Sequence, residues 1–233
     1  MTTVAIHQPN YAPWLGYFAK LARADMFVFL DDAQYSKNNY INRVQIDARG
    51  AERWLTIPVR YKFGDPINRV RAADEHWCRS HLDALRAQYI DAPFSSQVLS
   101  WLEETFARLA DGDIATSNQS LIEAIAGRLG IQRRFVRASE FATGSTRGDD
   151  RLIAILQSIG PNVCYLSGKG GDKYQDPGKF AAAGITLLYN DFAHPRYDQG
   201  HPDFLAGLSV LDALFRLGFD RTAKLVSPAG VLA

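Results

Sequence analysis

The stretch that decides the fold is residues 4–43, VAIHQPNYAPWLGYFAKLARADMFVFLDDAQYSKNNYINR. Its first apolar run, Val4-Ala5-Ile6, is followed by prolines at positions 9 and 13, which exclude a regular helix there. From Trp14 the apolar residues recur every three or four positions, as on one face of a helix. Residues 26–30 form a continuous apolar run that is typical of a parallel strand buried on both faces. The stretch therefore predicts a strand–helix–strand unit.

Polar and aromatic side chains follow both predicted strands. The first group is His7, Gln8, Tyr11, Trp14 and Tyr17, and the second is Asp31 and Asp32. Open α/β sheets bind ligands outside the carboxyl ends of their strands, and a right-handed crossover places two such ends side by side. We therefore expect a site here, with His7 as a candidate base that Asp31 or Asp32 orients. The alternative is that these residues only plug the sheet edge and cap a turn.

Length and composition bound the domain organisation. The chain has 233 residues, of which 47% are hydrophobic, and a formal charge of +1. This size predicts a single α/β domain over residues 1–226 with a mostly helical insertion at about residues 67–130, and a C-terminal tail at residues 227–233. The small net charge provides no global field that would draw the protein to nucleic acid.

The sequence also predicts a compartment. It opens without the charged and apolar regions of a signal peptide, and no run approaches the ~20 apolar residues of a membrane span. Cys78 and Cys164 are far apart, which favours a reducing compartment over a disulfide framework. We expect a cytoplasmic protein whose oligomeric state the sequence leaves open.

No zinc site is predicted, because two isolated cysteines and scattered histidines lack the local spacing of its ligands. A divalent ion that Asp31 and Asp32 hold together with a substrate phosphate remains an alternative. The sequence identifies no cofactor.

The middle of the chain has helical spacing. Three helices are predicted between residues 67 and 130, and the third begins at Asn118 as its N-cap. His81 lies on the apolar stripe of the first helix, so it is either a satisfied core histidine or a residue that points into the site.

In the last third of the chain, predicted strands alternate with predicted helices. Strands are predicted at residues 133–138, 162–166 and 185–189, and helices at residues 149–159, 176–183 and 209–216. Ser209 and Asp212 resemble a capping box at the start of the last helix. The predicted fold is an α/β class with a mostly parallel, Rossmann-like sheet, flanking helices and a helical insertion. We expect residues 1–60 and 132–220 to form that one sheet.

Further candidate binding residues follow the later strands and loops. They are Lys37, Asn42 and Arg43 after the second strand, Ser167, Gly168 and Tyr174 around a glycine-rich turn, and His194, Tyr197 and Gln199 after the last strand. Arg43 and Lys37 suit an anionic group. The glycine-rich turn is either a nest of backbone N–H groups around an anion or a flexible connection. It lacks the spacing of a Walker A or a dinucleotide motif.

Residues 7–43 resemble the signature of the WbqC-like family, bacterial proteins found largely in surface-polysaccharide gene clusters. The likeness continues over nearly the whole chain, at Gly50 with residues 54–59, at Trp77, His81, Leu82, Tyr89 and Asn118, at residues 165–168 with Tyr174, at His194, Pro195, Tyr197 and Gln199, and at Ser209, Leu211, Asp212, Leu214 and Phe215. The resemblance implies a sugar- or acyl-modifying role in polysaccharide or related biosynthesis, without naming a reaction.

Three functions remain open. The first is a transferase that moves a sugar, acyl or aminoacyl group to a hydroxyl or amine, with His7 or His194 as the base. Its donor is a small molecule, and nucleotide-linked and carrier-linked donors are both open. The second is a non-catalytic ligand-binding or scaffold protein of a biosynthetic cluster. The third is a thiol acyltransferase in which Cys78 and His81, three residues apart, act together.

Overall fold

The computed structural model describes residues 1–109 and 112–227. The strands are β1 (Thr2–His7), β2 (Met26–Phe29), β3 (Arg43–Asp47), β4 (Glu52–Thr56), β5 (Val59–Arg60), β6 (Arg71–Ala72), β7 (Arg134–Arg137), β8 (Val163–Gly168) and β9 (Thr186–Asn190). The helices are α1 (Leu15–Arg23), α2 (Trp77–Gln88), α3 (Ser95–Phe106), α4 (Ile114–Arg128), α5 (Gly148–Ile159), α6 (Pro177–Ala182) and α7 (Val210–Val226). Among these described residues, no helix is long and apolar enough to cross a membrane.

A five-stranded parallel sheet forms the centre, in the order β7-β2-β1-β8-β9. Its two faces bury alternate residues of the same strands. In β1, Ala5 packs into the core beside α1 to α4 and α7, whereas Val4 and Ile6 pack into a second core with α5 and α6. Helices on both faces explain why the strands read as continuous apolar runs. The predicted α/β fold with a mostly parallel, Rossmann-like sheet is confirmed.

The segment after β2 does not join the central sheet, contrary to the prediction that residues 1–60 belong to it. Strands β3 and β4 pair with each other in an antiparallel hairpin, and β5 pairs with β6. Residues 48–51 are too few for a parallel crossover, which needs a dozen or more. Arg49 and Gly50 both have positive φ angles, of 57° and 89°, which form the tight turn.

Helices α2, α3 and α4 lie within residues 67–130, as expected. The prediction that the third helix begins at Asn118 was wrong. The N-cap of α4 is Asp113, whose carboxylate accepts a hydrogen bond of 2.8 Å from the backbone N–H of Thr116. Asn118 lies inside the helix, buried, and its side chain serves another purpose described below. The division into a single domain with an insertion stays a prediction, and residues 228–233 of the predicted tail lie outside the described part.

The last helix differs from its prediction in two ways. Helix α7 continues past residue 216, because Gly218 interrupts it as a kink with a φ of 74° rather than ending it. A Cβ atom at Gly218 would lie 2.7 Å from the ring of Phe94, so only glycine allows this close approach. Ser209 caps the helix as predicted, whereas the Asp212 carboxylate does not complete a capping box and accepts hydrogen bonds from a loop instead.

Candidate functional site

A cavity of about 680 Å³ opens at the carboxyl ends of β1, β8 and β9. Strand β1 pairs with β2 on one side and with β8 on the other, so the chain reverses its winding direction between β1 and β8. Such a switch point is where open α/β sheets bind ligands. Eight of the predicted site residues line this cavity: His7, Gln8, Trp14, Tyr17, Ser167, Gly168, Tyr174 and His194.

His7 ends β1 and is held in one tautomer. Its Nδ1 lies 3.1 Å from the carbonyl oxygen of Gln8, so this nitrogen donates and Nε2 keeps the lone pair. The Tyr17 hydroxyl donates to the same carbonyl at 3.0 Å. Burial and the nearby Lys20 lower the pKa of His7 to about 3, so the imidazole is neutral at physiological pH.

Lys20 is a charged cavity residue that was not among the predicted site residues. It lies on α1 and is buried, and its Nζ donates to the carbonyl oxygen of Ile6 at 3.1 Å. Burial lowers the pKa of this amine to about 7. The sequence did contain an indication of this role. Lys20 lies within the apolar run YFAKLA, and a charged side chain in such a run indicates a polar space at that position.

The segment after β9 also lines the cavity. Phe192 and His194 follow β9, with their rings 5.4 Å apart, and burial lowers the pKa of His194, although the residue remains exposed at the rim. Gly16 permits the close packing here, because a Cβ atom at this position would lie 2.8 Å from the Phe192 ring and 3.0 Å from Trp14 Nε1.

The glycine-rich turn does not have the backbone conformation of a nest, and the alternative of a flexible connection stays a prediction. Ser167 and Gly168 end β8, and Lys169–Lys173 form a 3₁₀ turn. A nest requires left-handed residues, whereas Gly168, Gly170 and Gly171 all lack a positive φ. Gly171 is required for a different reason, because a Cβ atom there would lie 2.5 Å from Ser167 Oγ and 2.4 Å from Gln175 Oε1.

A row of aromatic rings leads from the cavity along the protein surface. The ring of Trp14 lies 5.3 Å from that of Tyr40, which lies 5.7 Å from that of Trp54. The guanidinium of Arg43 stacks on Trp54, with its Cζ 4.0 Å from the ring centroid. Trp54 is 39% exposed, so the outer end of this aromatic row is accessible. Arg43 therefore lies outside the cavity, at the far end of the row.

The two aspartates after β2 lie away from the cavity. The Asp31 carboxylate accepts hydrogen bonds from the backbone N–H of Ser139 at 3.0 Å, from its hydroxyl at 2.7 Å and from Asn68 at 3.1 Å. Asp32 forms an ion pair with Arg151. Asp31 thus joins three segments and does not orient His7, whose Nδ1 is oriented by a backbone carbonyl.

Other predicted binding residues have structural partners. Asn42 accepts a hydrogen bond from Tyr35 at 2.8 Å and donates to the Ile57 carbonyl at 2.9 Å, and Lys37 is an exposed loop residue. Tyr197 donates to Asp212 at 2.6 Å, and Gln199 donates to the same carboxylate at 3.3 Å. None of these four candidates lines the cavity.

His81 is a satisfied core histidine. Its Nδ1 accepts a hydrogen bond of 2.7 Å from the buried Tyr11 hydroxyl, and its Nε2 donates to the Thr56 carbonyl at 3.1 Å. Burial lowers the pKa of His81 to about 4. Because both ring nitrogens are engaged, neither can accept a proton from Cys78 without breaking one of these bonds.

No group of three or more His, Cys, Asp or Glu side chains is arranged to hold a metal ion within the part of the chain that the structure describes. The cavity lining, in the same part, contains no Asp or Glu.

The comparisons with known proteins agree with the resemblance found in the sequence. The profile of the WbqC-like protein family matches residues 8–224. The uncharacterized protein Rv1507c of Mycobacterium tuberculosis is 32% identical over 223 residues, which cover 94% of this chain and 95% of the relative. No solved structure gives a significant match to the chain. With the profile match and this relative both spanning nearly all of its length, the chain belongs to the WbqC-like protein family.

Proposed function

We propose that the protein is a transferase that moves a sugar, acyl or aminoacyl group to a hydroxyl or amine, in the biosynthesis of a surface polysaccharide or a related product. The single observation that carries this proposal is the state of His7 in the cavity. A neutral histidine whose Nδ1 is held by the Gln8 carbonyl leaves Nε2 as an acceptor for the proton of the attacking hydroxyl or amine.

Two adjoining binding regions support a reaction between two substrates. The donor occupies the cavity beside His7 and Lys20, and the acceptor lies on the aromatic row that begins at Trp14 and ends at Trp54. Aromatic faces beside hydrogen-bonding groups suit the apolar faces of sugar rings. The resemblance of residues 7–43 to proteins of surface-polysaccharide gene clusters supports this context.

Binding of an anionic donor would also raise the pKa of His7. Burial and Lys20 are what lower its pKa. A negatively charged donor beside Lys20 would offset the lysine charge, and the pKa of His7 would then rise towards the range in which general bases are effective. Histidine is thus kept neutral before the donor binds and becomes a better proton acceptor afterwards.

The experiment incubates the protein with a panel of sugar-nucleotide and acyl-thioester donors and of hydroxyl and amine acceptors, and detects products by mass spectrometry. For the pair that reacts, His7→Gln should lower turnover by about 100-fold or more, while donor affinity is kept. His194→Gln is the matched control at the exposed rim, and we expect a smaller effect. If His7→Gln turns over as fast as the parent, His7 is not the base. Donor binding without any product would favour the non-catalytic binding function.

A further inference from the structure

The charged side chains of the cavity lining, Lys20 and Lys169, are cationic. Lys20, Lys169, His7 and His194 contribute its nitrogen bases, and no carboxylate is present among the described lining residues. Lys169 forms an ion pair of 2.7 Å with Asp191, but both side chains are exposed, so solvent screens this pair. The uncompensated positive potential therefore centres on Lys20.

Lys20 has no counter-ion within the described chain. Its Nζ contacts the carbonyl oxygen of Ile6 at 3.1 Å and lies 5.8 Å from the ring centroid of Phe27. One neutral acceptor and one aromatic face satisfy part of an ammonium group, which carries three donors. A buried ammonium without an anionic partner is costly, and an anion that enters the cavity would supply that partner.

We propose that the cavity binds its ligand through a phosphate or diphosphate group that pairs with the ammonium of Lys20. This deepens the proposed function by naming the chemical class of the donor, but the anion would bind whether or not turnover follows. The volume of about 680 Å³ is typical of sites for organic ligands. The anion is therefore part of a phosphate ester whose organic portion fills the space towards Trp14.

Anion binding should be coupled to proton uptake. In the empty cavity the pKa of Lys20 is about 7, and an adjacent anion raises it. The amine should then take up close to one proton per anion at pH 8, where it is mostly neutral, and much less at pH 6, where it is mostly protonated already. By the same linkage, anion affinity should be full below pH 7 and should fall about tenfold for each pH unit above it.

Other titratable groups share the cavity and must be separated from Lys20. They are His7, Tyr17, Tyr165, Lys169, Tyr174 and His194. Burial raises the pKa of Tyr17 and Tyr165, and Asp191 raises that of Lys169, so these three stay protonated between pH 6 and pH 9. The pKa of His7 is lowered to about 3, so this histidine starts neutral, and burial lowers the pKa of His194; both histidines require variants as controls.

The experiment is isothermal titration of the protein with sulfate, pyrophosphate and malonate, at pH 6 and pH 8, in buffers of different ionisation enthalpy. Sulfate does not titrate in this range, so the proton count for sulfate belongs to the protein alone. We expect uptake at pH 8 in the parent, in His7→Gln and in His194→Gln. Lys20→Met should lose this uptake and at least tenfold in affinity at pH 6. Lys20→Arg keeps a charge that does not titrate, and it should bind without uptake.

Three results would overturn the proposal. They are failure of the parent to bind either anion at pH 6, uptake that persists in Lys20→Met, and tighter binding of malonate than of pyrophosphate, which would assign the site to carboxylates. The test also separates this proposal from the proposed function. Anion binding in a protein that makes no product contradicts only the transferase, whereas turnover without anion binding contradicts only the role of Lys20.

Discussion

The side chain of Asn118, in the middle of α4, donates a hydrogen bond of 2.8 Å to the carbonyl oxygen of Pro9. It donates a second, of 2.6 Å, to the carbonyl oxygen of Ile41. One buried amide therefore holds the loop that follows β1 and the segment that precedes β3. The loop that carries the candidate site is fixed by a helix more than a hundred residues later in the chain.

Replacing Asn118 should destabilise the fold. Asn118→Ala leaves two buried carbonyl oxygens without a donor, and each such loss costs about 1 to 3 kcal/mol. We expect the free energy of unfolding, measured by urea denaturation, to fall by about 2 to 4 kcal/mol. Ser120→Ala is the control, because this residue lies on the exposed side of the same helix and its change should be within about 0.5 kcal/mol. Equal stability of both variants would contradict the clamp.

Removing the buried amine of Lys20 should stabilise the fold. The pKa of Lys20 is lowered from 10.5 to about 7, so below pH 10.5 protonation favours the unfolded chain, and the full cost is present below pH 7. After allowance for the lost hydrogen bond to Ile6, Lys20→Met should raise the free energy of unfolding by about 2 to 4 kcal/mol near pH 7. This gain should shrink as the pH rises towards 10.5. A less stable variant at every pH would contradict an uncompensated amine.

The buried His81 should make the protein sensitive to acid. Its pKa is lowered from 6.5 to about 4, so its contribution to stability is full above pH 6.5 and is lost as the pH falls towards 4. We expect about 2 to 3 kcal/mol of this loss between pH 7 and pH 4.5. Urea denaturation at both pH values should show a smaller loss in His81→Gln. His76→Gln is the matched control, because this histidine is exposed beside the same helix and should leave the pH dependence unchanged.

Cys78 should be dispensable for turnover. Both nitrogens of His81 are engaged by Tyr11 and Thr56, so the histidine does not act as the base of a thiol. We expect Cys78→Ala to retain turnover and to cost about 1 kcal/mol of stability. Complete loss of turnover in a folded Cys78→Ala protein would restore the thiol acyltransferase hypothesis.

The aromatic row should contribute to acceptor binding. Trp54→Ala removes a stacking platform at its accessible end, and we expect the KM for the acceptor to rise about 5- to 10-fold with kcat retained. Phe63→Ala is the control, because Phe63 is 96% exposed and does not belong to the row. If both variants raise KM equally, the row does not hold the acceptor.

The strands of the central sheet could be located from sequence because they are short apolar runs followed by polar residues. The continuous apolar runs indicated parallel strands, whereas the separate β3–β4 hairpin was recognisable only from the short connection with Arg49 and Gly50. His7 lines the cavity because it ends a central strand, which the sequence did indicate.

The positions of the other candidates depended on long-range contacts that the sequence does not display. Asp31 accepts a hydrogen bond from Ser139, and Tyr197 donates one to Asp212. These polar residues near strand ends therefore connect distant segments of the chain instead of facing the cavity. Lys20 was missed because helical periodicity predicts the face of the helix on which a residue lies, but not whether that face borders a cavity. Its charge within an apolar face was the only available sign.

The loop after β1 is also tied to the start of α7: the hydroxyl of Ser209 donates to the Ala12 carbonyl at 2.7 Å, and the Val210 N–H donates to the Pro13 carbonyl at 2.9 Å. Ribosomes make the chain from its amino end, so the loop emerges long before the residues that hold it. During synthesis the cavity thus stays incomplete until residues 209–210 have left the exit tunnel, and a chain that stalls earlier carries His7 and Lys20 without the contacts that position their loop. Binding competence is consequently acquired only after residues 209–210 have been synthesised and have docked on the loop.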